Sequence, residues 1–193
     1  MKTINIIKSE HRNLASILYS LEKLIEEIDQ GKQANFTVFH GLFTYIERFL
    51  DRYHHPKEND YLFPRILARA PQAEALIKEL GQQHKEGESL FIEMLKALSA
   101  YEFSGETEYP PFRKAILKYA DFERKHAIKE EKELLPIAQK TLEASDWQEI
   151  DQAFGENEDP MFGEQWSGEF STIFKKLVND LPAPLGLGEK WKK

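Results

Sequence analysis

Residues Ile4, Ile7, His11, Leu14, Leu18, Leu21, Ile25 and Ile28 follow one another at steps of 3 and 4, the spacing that keeps one face of an α-helix apolar. The pattern predicts a helix from about Thr3 to Gln30, ended at Gly31-Lys32, with Asn35 placed to cap the next. A second segment, about Phe36 to Ala68, presents Phe36, Phe39, Phe43, Ile46, Leu50 and His54. Pro56 inside it removes a backbone donor, so a kink or a break is expected there. A third, about Gln72 to Ala100, aligns Ala73, Ile77, Leu80, His84, Gly87, Phe91, Met94 and Leu98. After a loop from Phe103 to Tyr109, Pro110-Pro111 opens a fourth that runs to about Thr141. Its face carries Ala115, Tyr119, Phe122, His126, Glu130, Leu134 and Ile137, and Pro136 is expected to kink or finish it. Four long amphipathic segments joined by short loops define an all-α fold, an up-down-up-down four-helix bundle.

The bundle is expected to occupy residues 1–141, and residues 142–193 read as a C-terminal appendage of helical and irregular character. Ser145 or Asp146 is placed to cap a short helix through Phe154, and a second short helix fits Trp166 to Asn179. Trp147, Phe154, Phe162, Trp166, Phe170 and Phe174 are too many aromatics for a free tail, which points to packing on the bundle or at a homodimer interface.

Charge and composition narrow the chemistry. Among 193 residues there are 33 acids and 26 Lys+Arg, a net charge of −7, which repels phosphate backbones and argues against nucleic acid as a partner. No apolar run approaches the ~18–20 residues of a membrane span, and Met1-Lys2-Thr3 opens into a polar amphipathic stretch unlike a signal peptide. The absence of cysteine removes thiol and disulfide chemistry and fits a cytoplasmic setting. Any metal must be held by His, Asp and Glu. No nucleophile triad, phosphate loop or dinucleotide fingerprint is visible.

Four of the six histidines, His11, His54, His84 and His126, fall one per helix in seams otherwise built for Leu and Ile. Four imidazoles buried without a common partner would each leave a polar group unsatisfied, at ~1–3 kcal/mol apiece. A shared metal removes that cost. The helical runs agree. His11 lies about 19 residues before its helix ends and His54 about 18 after the next begins; the corresponding runs are about 14 and 13 for the second pair, and 16 and 15 for the third. Equal runs in antiparallel neighbours put all four rings in one layer. His54 and Glu58 are four apart, as are His126 and Glu130, so each pair shares a face. Four His and two Glu suit two metals, each with two imidazoles, the carboxylates bridging; Fe or Mn fits such donors, and Zn as well.

The run His54-His55-Pro56-Lys57-Glu58-Asn59-Asp60-Tyr61-Leu62-Phe63-Pro64, with His126-Ala127-Ile128-Lys129-Glu130-Glu131 and Leu134-Leu135-Pro136, resembles the hemerythrin-like, or HHE cation-binding, family over about residues 1 to 140. The resemblance implies a non-haem di-iron centre ligated by His11, His54, Glu58, His84, His126 and Glu130, the set reached from spacing. Oxygen-carrying hemerythrins place a further His one turn after the third-helix ligand, where this chain has Glu88. That departure points away from reversible O2 carriage, toward relatives linked to nitric-oxide stress, iron-centre repair, or iron and oxygen sensing. Ferritin-like proteins use Glu-x-x-His on two helices and a lone Glu on each of the others. Glu123-Arg124-Lys125-His126 fits that spacing, but His11 and His84 stand where a Glu is required.

Other residues keep open assignments. Glu88 reads as a ligand, an acceptor behind one, or exposed; His55 as a support to the ligands, as exposed, or as a contender for a ligand place if the helix breaks at Pro56; Glu131 as a substitute for Glu130 if the helix overwinds. His40 reads as surface, and Tyr61 and Tyr119 as core. The expected small ligands are O2, NO or peroxide, reached through apolar walls of Ile7, Leu14, Leu50, Leu80 and Phe122. Three functional classes fit: a ligand-binding or sensing module; a redox enzyme reducing NO or peroxide or repairing iron centres; and a metal-free helical interaction protein.

Overall fold

A computed structural model describes residues 2–155, which are helical with short connectors. Residues 156–193, including the expected second short helix and its aromatics, lie outside the described residues. Helix α1 is Lys2–Asp29. Helix α2 is the continuous helical run 36–69, α3 is Glu74–Ser104, α4 is the run 109–141, and α5 is Ala144–Gly155. The first four form the bundle, with α1 and α3 each packed against both α2 and α4. The start of α4 meets the end of α1, where Tyr109 donates to Asp29 Oδ1 at 2.7 Å, while the end of α4 meets the start of α1 at His11 and Glu131.

The termini of α1 show why the chain turns where it does. Gly31 adopts φ +89°; its N–H reaches Ile28 O at 2.8 Å and that of Lys32 reaches Glu27 O at 3.1 Å, the paired bonds of a Schellman stop. Asn35 caps α2 by accepting from Val38 N. At its other end α1 has no acid in its first turn. Its amides are capped instead from α5: Asp151 accepts from Thr3 N at 2.7 Å, Thr3 Oγ1 at 2.6 Å and Lys2 N at 3.2 Å. Burial pushes the Asp151 carboxyl up, but these bonds outweigh it and hold it below its ordinary 3.8. Asp151→Asn is therefore expected to cost about 1 kcal/mol in urea unfolding. The wild-type advantage is present above pH 3.8 and lost as pH falls through the lowered value; equal stabilities at pH 7 would contradict the cap.

Proline does not break α2. The helix widens to π-turns at Ile46–His54 and Glu58–Leu62, with an α-turn at His55–Lys57 between them, and continues as Phe63–Arg69. The same occurs in α4, where Tyr109–Lys129 passes into a π-turn at Glu130–Leu134 and then Leu135–Thr141. Phe63 N–H bonds Glu58 O and Leu135 N–H bonds Glu130 O, each just before a proline that has no N–H to give. The wider turn after Glu58 rolls Tyr61 outward, so this expected core residue is exposed while Leu62 and Phe63 are buried. The expected loop at 103–109 is also shorter: α3 runs on to Ser104, and Gly105–Glu108 is a 3-10 turn.

Two apolar clusters fill the bundle. One joins α1 from Leu14 to Ile28 with Phe39, Phe43, Phe91, Phe112 and their neighbours. The other gathers Ile4, Ile7, Leu62, Ile66, Leu80, Leu134 and Ala138, closed beneath by Trp147, Ile150 and Phe154 of α5. Each buried Leu, Ile or Phe among them contributes roughly 1.5–3 kcal/mol. Neither Ser145 nor Asp146 is the cap of α5, since both lie inside it; Asp146 accepts from Glu143 N at 2.9 Å, while Arg69 donates to it from α2. Between the two clusters lies a single polar layer.

Candidate metal centre

That layer contains His11, His54, His55, Glu58, His84, His126 and Glu130, all buried. The heights expected from equal helical runs are observed. The Nε2 atoms converge on two carboxylates. His54 and His84 lie 3.6 and 3.5 Å from Glu58 Oε2. His11 lies 3.3 Å from Glu130 Oε2, and His126 and His84 lie 3.6 and 3.7 Å from Glu130 Oε1. Two donors about 2.1 Å from one ion stand about 3.0–3.4 Å apart at right or tetrahedral angles, close to these separations. Two four-donor groups result: His11, His54, Glu58 and Glu130; and Glu58, His84, His126 and Glu130, with all donor atoms of each group within 4.8 Å of one another. They share both carboxylates.

The polar atoms here fit a metal and little else. Nε2 of His11, His84 and His126 and both oxygens of Glu58 and Glu130 are buried without a hydrogen-bond partner, a concentration that a folded protein otherwise avoids. The opposite nitrogens are all held. Nδ1 of His11 faces Glu131 Oε1 at 3.0 Å, that of His54 Glu10 Oε2 at 2.7 Å, that of His84 Asn59 Oδ1 at 3.0 Å, and that of His126 Gln83 Oε1 at 2.9 Å. Because these oxygens only accept, each Nδ1 carries the proton and each Nε2 presents its lone pair to the carboxylates.

Electrostatics point the same way. Burial, then repulsion from Glu130 and Glu10, pushes the Glu58 carboxyl well above its ordinary range. Burial acts on Glu130 too, but His126, His11 and His84 overcome it and hold that carboxyl low. The two carboxyls are thus pushed apart, Glu58 up and Glu130 down. Burial lowers His126 to about 4 and His55 well below the imidazole range, so both rings are neutral donors at pH 7. His11 is desolvated as well, yet Glu130 and Glu131 raise it.

The remaining expectations resolve individually. Glu131 does not replace Glu130; it braces His11. Glu88 is exposed, on the wall of a cavity of about 480 Å³ that also borders His55, Asn59 and His84. His40 is exposed and pairs with Glu102 at 2.8 Å, and Tyr119 is core. Phe122 is half-buried. His55 is buried and stacks on His84, ring centroids 4.1 Å apart at 15°. Spacing did not single out the braces Glu10, Asn59 and Gln83. Each adjoins an expected ligand in sequence, and adjacent positions on a helix face different neighbours, a usable signal. Glu10→Ala is expected to weaken metal binding roughly 10–100-fold in a competition titration with a chelator, without loss of helicity.

Gly87 explains the seam position that carries no side chain. A Cβ there would lie 2.5 Å from Glu123 Oε1 and 3.4 Å from Phe122. The missing side chain gives room to a buried carboxylate one turn before His126. Glu123 and His11 together border a second cleft of about 190 Å³ between α1 and α4, with Leu14, Leu18 and Ala127 on its walls.

A bundle with paired His and Glu donors on its helices is the architecture of a cation-binding helical domain, and the comparisons agree. The hemerythrin HHE cation-binding domain model matches residues 2–138; the chain belongs to this family. It is also similar to an uncharacterized protein of Mycobacterium bovis and to two from Mycobacterium tuberculosis strains. Each is 24% identical over 178 residues, covering 92% of this chain and 68% of the relative. No solved structure gives a significant match. Among the described residues no helix is long and apolar enough to cross a membrane.

Proposed function

We propose that the chain is a di-iron protein that binds a diatomic ligand, O2 or NO, or handles iron under oxidative or nitrosative stress. The observation carrying this reading is the pair of four-donor groups sharing Glu58 and Glu130. His11 and His54 would hold one ion, His84 and His126 the other, and the two carboxylates both. Bound iron supplies a one-electron couple at each ion and affinity for small diatomics. The chain does the rest. Glu10, Asn59, Gln83 and Glu131 keep the Nδ1 protons and fix the rings. Ile7, Leu14, Leu50 and Leu80, all buried, keep bulk water from the layer.

A second reading, a reductase of NO or peroxide, is favoured by Glu123. Such reductions consume protons, and this buried carboxylate borders the same cleft as His11. One experiment tests both: anaerobic ferrous loading, metal analysis, then absorbance spectra with O2 and separately with NO. About two irons per chain and a charge-transfer band that reverses on degassing support the binder. Irreversible oxidation, with catalytic consumption of ligand under a supplied reductant, supports the reductase. Zero iron retained abandons both for the metal-free interaction protein.

A further inference from the structure

The cleft of about 190 Å³ between α1 and α4 has apolar walls of Leu14, Ala15, Leu18, Ala127 and Ile128. Ala15 is exposed and Ile128 keeps 45% of its surface in solvent, so an apolar strip lies open along the bundle. The foot of the cleft is cationic. Arg12 lines it, Lys8 stands one turn before Arg12 on α1, and Lys132 one turn beyond Ile128 on α4. None of these three forms an ion pair among the described residues, whereas Arg124, Lys125 and Lys129 close by on α4 are taken by Glu22, Asp121 and Glu79.

We infer that this cleft is the docking site of the chain's own segment 156–166, its acids on Lys8, Arg12 and Lys132 and its aromatics Phe162 and Trp166 on the apolar walls. The segment opens with Glu156, Glu158 and Asp159, and no Lys or Arg occurs from 156 to 174. Acids precede aromatics along the chain as cations precede apolar walls along the cleft. The distances agree. Helix α5 ends at Gly155, where an added Cβ would lie 4.0 Å from Lys2 Nζ, so the segment sets out from the foot of α1. At ~1.5 Å per residue, Lys8 and Arg12 stand ~9 and ~15 Å along α1 from Lys2, and Ala15 and Leu18 ~20 and ~24 Å. A chain reaches at most ~3.3–3.6 Å per residue, which brings Asp159 to ~14 Å, Phe162 to ~25 Å and Trp166 beyond.

The larger cavity is a poorer match. Its walls between α2 and α3 set Glu47 and Glu88 beside Arg52 and Lys85, and Arg52 already pairs with Glu47. An acidic segment meets acids there. In the α1–α4 cleft the segment instead covers the side on which His11 and Glu123 border the surface. The docking goes beyond the function proposed above and does not depend on which ion the layer binds.

Because the chain has no cysteine, introduced thiols report the contact in the full-length protein. Under mild oxidation, Ala15→Cys with Gly163→Cys should close an intramolecular disulfide at least ~10-fold faster than Glu88→Cys with Gly163→Cys, whose first thiol lies on the α2–α3 cavity. Adding Arg12→Glu and Lys132→Glu to the first pair should slow closure roughly 3–10-fold, and high salt should slow it as well. Non-reducing electrophoresis and mass spectrometry read all of these. Equal closure in the two pairs, or none in either, overturns the inference. Disulfide-linked dimers in place of the closed monomer overturn it in favour of a second copy in the cleft. None of these outcomes bears on the di-iron reading, which metal analysis of the wild type tests separately.

Discussion

Glu130→Gln is expected to lower iron uptake from about two ions per chain to fewer than one. The two oxygens of Glu130 face different positions, Oε2 toward His11 and Oε1 toward His84 and His126. The amide takes the negative charge from both groups and an oxygen donor from one of them, while keeping the volume that the buried site requires. His11→Ala, by contrast, takes a donor from one group only and should leave about one ion. Metal analysis after anaerobic loading reads both variants, with circular dichroism confirming intact helices. Two ions retained in Glu130→Gln would remove the shared carboxylate from the account.

Stripping the metal should lower the melting temperature by roughly 10–20 °C. Saturating one site at a hundred times its dissociation constant adds about 2.7 kcal/mol, hence about 5 for two, and in a chain of this size each kcal/mol is worth about 2–4 °C. The physical source is visible in the layer, where seven donor atoms of His11, Glu58, His84, His126 and Glu130 are buried without a hydrogen bond. The gain depends on pH with a definite sign. Glu58 and His11 both sit above their ordinary values, so protons compete with metal at them from a higher pH than for free side chains. Stabilisation by metal is therefore greatest at neutral pH and above, and shrinks on acidification. Paired thermal melts with and without chelator at pH 7.5 and 5.5 measure this. Coincident melts at pH 7.5 would contradict it.

The bundle and the layer were legible in the sequence because both follow from helical periodicity alone. Seam histidines at matched distances from their turns must meet, whatever the loops do. What periodicity misjudged traces to proline. Pro56 reads as a kink or a break, and Tyr61 as core, if every turn holds 3.6 residues; π-turns absorb the missing donors and rotate the residues between them. His55 carries three assignments for the same reason, since its direction depends on how the turn around Pro56 is wound. The bracing residues are a different case. Glu10, Asn59 and Gln83 are polar residues beside ligands, but only the packing of the helices shows which histidine each one holds.

Each four-donor group draws on both helical hairpins: the first takes Glu130 from α4, and the second takes Glu58 from α2. Neither hairpin can complete a site alone. An ion in either position is consequently a cross-link between the two halves of the chain, and the first to bind draws together both carboxylates that the second requires. Occupancy and hairpin docking would then be linked, with the two apolar clusters holding the hairpins together in either state.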